Sequence, residues 1–286
     1  MIKTFSYPLS QLFRRGLSVA LVAGFLSASG QDEAPLQIDL DNFPGEIVEK
    51  VVVPIPAEIF AVLDKLGEPN WGSGIKLPSG EVSANDRSLL ALTFGGLVAE
   101  GFIAVQAKDA EEIQKIGREV LALSNALGLA VAVRPHSLSI IEAAGDKDWS
   151  RVRDELDSTQ QTVRETMEKL RDDELSNLVS LGGWLRGTNV VTVFISDSFS
   201  EDKAELLNQP GLIIHFREVL EKMEGPSSKT PAMRAILVGL ARLESIIGSL
   251  ETISEEDVRQ LRDITRVMLE EFYYEKSDSA ADKAGN

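Results

Sequence analysis

Two long and almost uninterrupted apolar runs constrain the fold of this chain most strongly. Residues 89–105 contain only Thr93 and Glu100 as polar side chains, and residues 178–195 are almost as apolar. A helix that is apolar on every face has to be buried. A pair of membrane spans is the alternative, but each run is barely of spanning length and carries a charge near its middle, which is costly in a bilayer. We therefore predict that both runs form the central helices of one domain.

Each apolar run contains a pair of glycines, Gly95-Gly96 in the first and Gly182-Gly183 in the second. A glycine inside a helix costs about 1 kcal/mol relative to alanine. We interpret the two pairs as positions where the backbones of the central helices approach each other closely.

The rest of the chain from residue 83 onward has the pattern of amphipathic helices. Ser254 with Asp257 is typical of a capping box, and Thr230 precedes Pro231 as at the first turn of a helix. The fold class is therefore predicted as all-α, a helical bundle of about eight to nine helices. Apolar periodicity and caps place these helices at residues 83–107, 109–127, 136–145, 148–171, 173–198, 201–224, 231–251 and 254–276, after a short leading helix between Pro56 and Leu66.

The eight predicted helices resemble one four-helix unit written twice, in residues 83–171 and 173–276. The offset between matching segments increases along the chain from 87 to 106 residues, as loop insertions in the second copy would require. The alternative is that amphipathic helices resemble each other without duplication. We predict that the two halves superpose. The matches are Gly95-Gly96 with Gly182-Gly183, residues 118–121 with 217–220, residues 139–141 with 245–247, and residues 152–153 with 258–259.

Residues 1–30 have the pattern of a secretory signal peptide. Three basic residues and no acidic residue accompany an apolar run at 17–26, and the small residues 27–30 follow. The run is about half the roughly 20 residues needed to cross a bilayer, which disfavours an uncleaved anchor. We predict cleavage after Gly30, no transmembrane span in the mature chain, and a change in its net charge from −16 to −19 because three cations are removed. A cysteine-free exported chain fits a bacterial periplasm or exterior.

The segments on either side of the predicted helices are polar. Residues 31–50 are acidic and contain two prolines, so we expect an extended leader. Residues 277–286 are small and polar, and we expect a disordered tail. Residues 51–276 are predicted as one all-helical domain, because no linker separates the two halves.

The composition excludes several classes of function. A nucleic-acid-binding protein needs a basic face, and this chain has 45 acidic against 29 basic side chains. With no cysteine, the chain cannot form disulfides, zinc–cysteine sites or iron–sulfur centres. No phosphate loop, nucleophile elbow or zinc-protease motif occurs in it. The two histidines, His136 and His215, are interpreted as structural, and we predict no cofactor, no metal site and no catalytic residue.

Glu100 and Arg186 are the strongest candidates for a functional site. Each is the single charge of an apolar helix, about one turn after a glycine pair. A buried charge needs a partner, so one interpretation is a salt bridge between the central helices. The other is a polar pocket between the halves that binds a small anionic or zwitterionic ligand. Either way, we predict that the two side chains contact each other directly or through one water or ligand.

The glycine-rich loop around Asn70 and Trp71 is the second candidate site. An exposed tryptophan in such a loop often makes a binding contact. The alternative is that the loop packs as a lid onto the bundle. Asn70 and Trp71 are therefore predicted to bind the ligand together with Glu100 and Arg186.

Three functions remain open from the sequence. The first is an exported, non-enzymatic helical-bundle protein of the bacterial cell envelope that binds a partner protein or a small ligand. The second is an enzyme that uses carboxylates for acid/base chemistry in a cleft between the repeats. The third is a structural envelope protein attached through its acidic face and divalent cations. A filled core with exposed apolar surface would favour partner binding.

Overall fold

The fold is all-helical, as predicted. The computed structural model describes residues 56–79, 86–170, 172–249 and 252–276, and these contain helices and no strand. The predicted signal peptide, acidic leader and tail lie outside the described residues. The helices are α1 (Pro56–Lys65), α2 (Trp71–Gly74), α3 (Arg87–Ala107), α4 (Ala110–Leu127), α5 (Ala130–Gly145), α6 (Trp149–Leu170), α7 (Asp173–Asp197), α8 (Glu201–Ala204), α9 (Pro210–Lys222), α10 (Pro231–Ile247) and α11 (Glu255–Leu269), with 3₁₀ turns at Glu205–Leu207 and Ser227–Lys229.

The predicted helix caps explain several of the observed boundaries. The Ser254 side chain accepts from the Asp257 backbone N–H and the Asp257 carboxylate accepts from the Ser254 backbone N–H, so the capping box at α11 is confirmed. Thr230 caps α10 ahead of Pro231. At α3 the cap is Asp86, whose carboxylate accepts from Leu89 N–H, and the helix therefore begins at Arg87 rather than at residue 83.

Further predicted boundaries are wrong, and two of them have an identifiable local reason. Helix α5 begins at Ala130 and continues through Pro135, because the carbonyl that loses its donor belongs to Val131, which is 92% exposed and open to water. The predicted helix at 201–224 is broken into α8 and α9, with Pro210 as the first residue of α9. Helix α11 ends at Leu269 rather than at residue 276, and the glycine-rich loop around Asn70 and Trp71 contains the single helical turn α2.

Helices α3 and α7 form the centre of the structure and pack along each other, as predicted. Helix α3 also packs on α4, while α7 packs on α11; the antiparallel pairs α5–α6 and α9–α10 lie farther out. By length and composition both central helices could cross a bilayer. The best 18-residue window is 78% buried in α3 and 61% buried in α7, as expected for helices in the core of a bundle.

The predicted close approach occurs at Gly95 and Gly182. A β carbon on Gly95 would overlap with the Val179 carbonyl oxygen, and one on Gly182 would overlap with the Leu92 carbonyl oxygen. It would also lie 2.8 Å from the Leu92 α carbon. These neighbours are backbone atoms of a packed helix and cannot rotate away. Only glycine at both positions permits this crossing, which brings the two central backbones together one turn before Glu100 and Arg186.

The structure does not confirm the predicted duplication of a four-helix unit. In the first half α3 packs mainly on the helix that follows it, α4. In the second half α7 makes its largest contact within the half with α11, the last helix, and only a small contact with α9. The two halves therefore surround their central helices differently.

Candidate functional site

Glu100 and Arg186 form a direct ion pair, so the predicted contact is confirmed. The Arg186 Nε–H donates to Glu100 Oε1 at the crossing of α3 and α7. Glu100 is 0% exposed and Arg186 is 1% exposed. The apolar runs bury the two helices, the glycines bring them together, and the two charges are thus forced to pair.

The remaining polar atoms of the pair bind protein backbone and a tyrosine. The Arg186 Nη2–H donates to the carbonyl oxygen of Gly74. The Lys76 backbone N–H donates to Glu100 Oε2 at 3.1 Å, and the Tyr273 hydroxyl donates to Glu100 Oε1 at 3.4 Å. Both charged groups therefore have protein partners beyond each other, as buried ions require.

Burial controls the electrostatics of this site. Desolvation raises the pKa of Glu100, and the charge and hydrogen bond of Arg186 oppose that rise, as do the Lys76 and Tyr273 donors. Burial also raises the pKa of Tyr273 well above its ordinary value, so its hydroxyl keeps its proton and serves as a donor.

Two segments cover the ion pair. The first is residues 70–79, which we call the strap; the second is residues 272–275, which follow α11. The Ser79 backbone N–H donates to the Tyr273 carbonyl oxygen at 2.9 Å, and the Glu275 backbone N–H donates to Ser79 Oγ at 3.2 Å. The strap and the C-terminal segment thus hold each other in place over the pair.

The structure places the two predicted loop residues differently. Trp71 is 7% exposed, and its ring packs edge-on against Phe194 of α7 with centroids 5.0 Å apart. This is the lid arrangement rather than an exposed binding tryptophan. Asn70 is exposed, and its carbonyl oxygen accepts from the Ser73 hydroxyl at 2.7 Å. The strap reaches the ion pair through the backbones of Gly74 and Lys76, and such backbone contacts are not visible in the sequence.

The ion pair leaves no solvent-filled space for a small ligand while the strap is in place, because almost none of its surface is accessible. Two depressions lie elsewhere on the described surface. One, of about 240 Å³, is lined by Phe60, Ala61, Asp64, Arg153 and Asp157. The other, of about 540 Å³, lies between α9 and α10. In the described part of the chain, no group of three or more His, Asp or Glu side chains is placed to hold a metal ion.

A hydrogen-bonded chain on α5 and α6 was missed because its members are distant in sequence. His136 Nδ1 lies 3.2 Å from Glu155 Oε2, and His136 Nε2 lies 3.0 Å from Thr162 Oγ1. The order hydroxyl, imidazole, carboxylate matches a nucleophile–base pair. However, the Thr162 hydroxyl donates to the Ser158 carbonyl oxygen, and the neighbouring α6 backbone N–H groups are bonded within the helix. The contacts of His136 with Glu155 and Thr162 therefore join α5 to α6.

His215 on α9 gives a pH-dependent prediction. Partial burial lowers the pKa of His215 from 6.5; Glu218 opposes the decrease, and Lys222 adds to it. Its Nε2 lies 3.3 Å from Asn177 Oδ1. The unfolded chain therefore binds a proton more readily than the folded chain, and stability is lost as pH falls through 6.5. We expect urea unfolding between pH 7.5 and 5.5 to show a larger loss in the wild type than in His215→Gln, and equal losses would contradict this assignment.

No family model, curated protein or solved structure matches this chain.

Proposed function

We propose that the protein is an exported, non-enzymatic helical bundle of the bacterial cell envelope that binds a partner protein. The observation that supports partner binding over small-ligand binding is the state of the Glu100–Arg186 site. Its polar atoms are taken up by the chain's own backbone, and the side chains are sealed from solvent. On α9 and α10 the apolar side chains of Ile214 and Val238 remain exposed, and this supports a protein partner over a small ligand.

The groove between α9 and α10 is the surface we assign to the partner. Pro210 and Ile214 line one wall, and Ala241, Ser245 and Gly248 follow the other at helical spacing. On the same face of α10, Val238 is 60% exposed. Small side chains along one wall let a second backbone approach closely, so we propose a partner that presents an apolar helix to this groove.

Localisation to the periplasm or cell exterior is part of this proposal and rests on the pattern of residues 1–30. The acidic charge supports a protein partner rather than nucleic acid, and the packing of α3 and α7 inside the bundle supports a mature chain without a membrane span. We expect the exported chain to begin at or near Gln31. Intact-mass measurement of the protein exported with its own leader tests this, and a chain that retains residues 1–20 would contradict it.

Native mass spectrometry of protein purified from its own exported fraction tests partner binding, because it reports bound small molecules and the assembly mass together. We expect a complex with a second protein and no retained small molecule. Val238→Asp should abolish the complex. Val267→Asp, on the exposed face of α11 at 48% exposure, is the matched control and should leave it intact. A retained small ligand with no partner would favour the ligand-binding alternative.

We also propose that the central helix pair descends from a duplication, although the surrounding helices pack differently. Its support is a reciprocal crossing. Gly95 faces the Val179 carbonyl, and Gly182 faces the Leu92 carbonyl. Both matches, Gly95 with Gly182 and Leu92 with Val179, have the same offset of 87 residues. A contact in which each helix uses the same positions is what a two-fold related pair produces.

A further inference from the structure

We propose that the strap occupies a peptide-binding site as an internal ligand, and that a segment of a partner protein that forms the same short turn binds there by displacing it. The strap site would be a second recognition site on the protein, separate from the α9–α10 groove. It rests on the proposed function only in that another protein binds there.

The ion pair binds backbone groups of the strap. Arg186 takes a backbone carbonyl, that of Gly74, and Glu100 takes a backbone N–H, that of Lys76. Gly74 ends the α2 turn and Ile75 is extended, so the Gly74 carbonyl and the Lys76 N–H lie on either side of one extended residue. The two charges thus form a donor and an acceptor spaced for the backbone at the end of such a turn. This recognition uses no side chain of the strap, so another peptide backbone can make the same bonds.

The side chains of the strap also contact the site. Trp71 packs on Phe194, and Ile75 and Leu77 pack against the core. Gly74 lies against α7 so closely that a β carbon would be 2.7 Å from Phe194 Cζ. The site therefore selects an aromatic residue, a glycine three positions later, and an apolar residue directly after it. That pattern is the chemical class of the partner segment.

Among the described residues, one buried polar group beside the closed site has no hydrogen-bond partner. The Tyr274 hydroxyl is buried and has no hydrogen-bond partner among the described residues, and it interacts electrostatically with Arg186 and Glu100. A buried unpaired hydroxyl costs about 1–3 kcal/mol. The strap forms hydrogen bonds with the ion pair but not with this hydroxyl. A partner peptide would therefore gain one hydrogen bond that the strap does not make.

The test measures binding of a fluorescein-labelled peptide of residues 69–79 to the full mature protein by anisotropy. In the wild type the tethered strap competes at an effective concentration on the order of millimolar, so peptide at micromolar concentration should bind poorly. Trp71→Ala removes the aromatic anchor of the strap and should tighten peptide binding at least tenfold. Glu68→Ala changes an exposed residue just before the strap and should bind as the wild type does.

Two controls distinguish specific binding of the peptide at the strap site from nonspecific binding to the protein. A peptide with the equivalent of Gly74→Leu should not bind the Trp71→Ala protein, because its side chain would meet Phe194. If Trp71→Ala is not helical by circular dichroism, Ile75→Ser serves as the second loosened variant. The inference is overturned if a folded loosened variant binds no better than the wild type, if the leucine peptide binds equally well, or if both variants unfold. The α9–α10 groove is untouched in each case, so these outcomes leave the Val238→Asp result independent.

Discussion

Gly95→Ala should lower the free energy of unfolding by about 3 kcal/mol, although alanine is the better helix former. The added β carbon would overlap with the Val179 carbonyl oxygen and lie 2.8 Å from the Gly183 backbone nitrogen. Because both obstacles are backbone atoms, the helices have to separate, and the whole α3–α7 contact loosens. Gly182→Ala should behave in the same way, since its β carbon meets the Leu92 backbone.

Gly187→Ala is the matched control on α7. Nothing lies within 4 Å of its β-carbon position, so the ordinary helix preference applies and the protein should gain up to about 1 kcal/mol. Urea unfolding followed by circular dichroism compares the three variants. A Gly95→Ala protein as stable as the Gly187→Ala protein would show that the two backbones do not approach as described.

The fold could be predicted where one local signal dominates. The two apolar runs identified α3 and α7, and the caps at Thr230 and Ser254 located the starts of α10 and α11. Prediction failed where contacts in the folded protein decide between two conformations that the local sequence allows. The predicted helix at 136–145 begins after Pro135, but α5 passes through this proline because the exposed Val131 carbonyl can be hydrated.

The candidate site could be predicted only in part. Two lone charges in apolar helices require each other, so the contact between Glu100 and Arg186 followed from burial alone. The Gly74 carbonyl and the Lys76 N–H could not be found in this way, because backbone groups have no sequence signature. The sequence only weakly indicates a role for Tyr273 in the site, because residues 272–274 are three successive aromatics in a chain with only 6% aromatic residues.

The ion pair gives the other large expected effect. Glu100→Leu strands the Arg186 guanidinium, which cannot lose its proton, and Arg186→Met strands the Glu100 carboxylate; each should cost about 3–5 kcal/mol. In the double variant neither charge remains, so its cost should be clearly smaller than the sum of the two single costs. It should not reach zero, because the Gly74 carbonyl and the Lys76 N–H then lose their partners and each unpaired group costs about 1–3 kcal/mol.

The exposed pair Glu218–Lys222 is the matched control for this double-mutant cycle. Its side chains are 49% and 75% exposed and already solvated, so its coupling energy should be far smaller than that of the buried pair. Equal coupling in the two cycles, or additive losses for Glu100 and Arg186, would contradict a sealed pair. The same cycle can be repeated in a Trp71→Ala background, in which the strap is loosened. If the coupling between Glu100 and Arg186 is large in the wild-type background and disappears here, the strap excludes water from the pair, because hydration weakens the attraction between the charges.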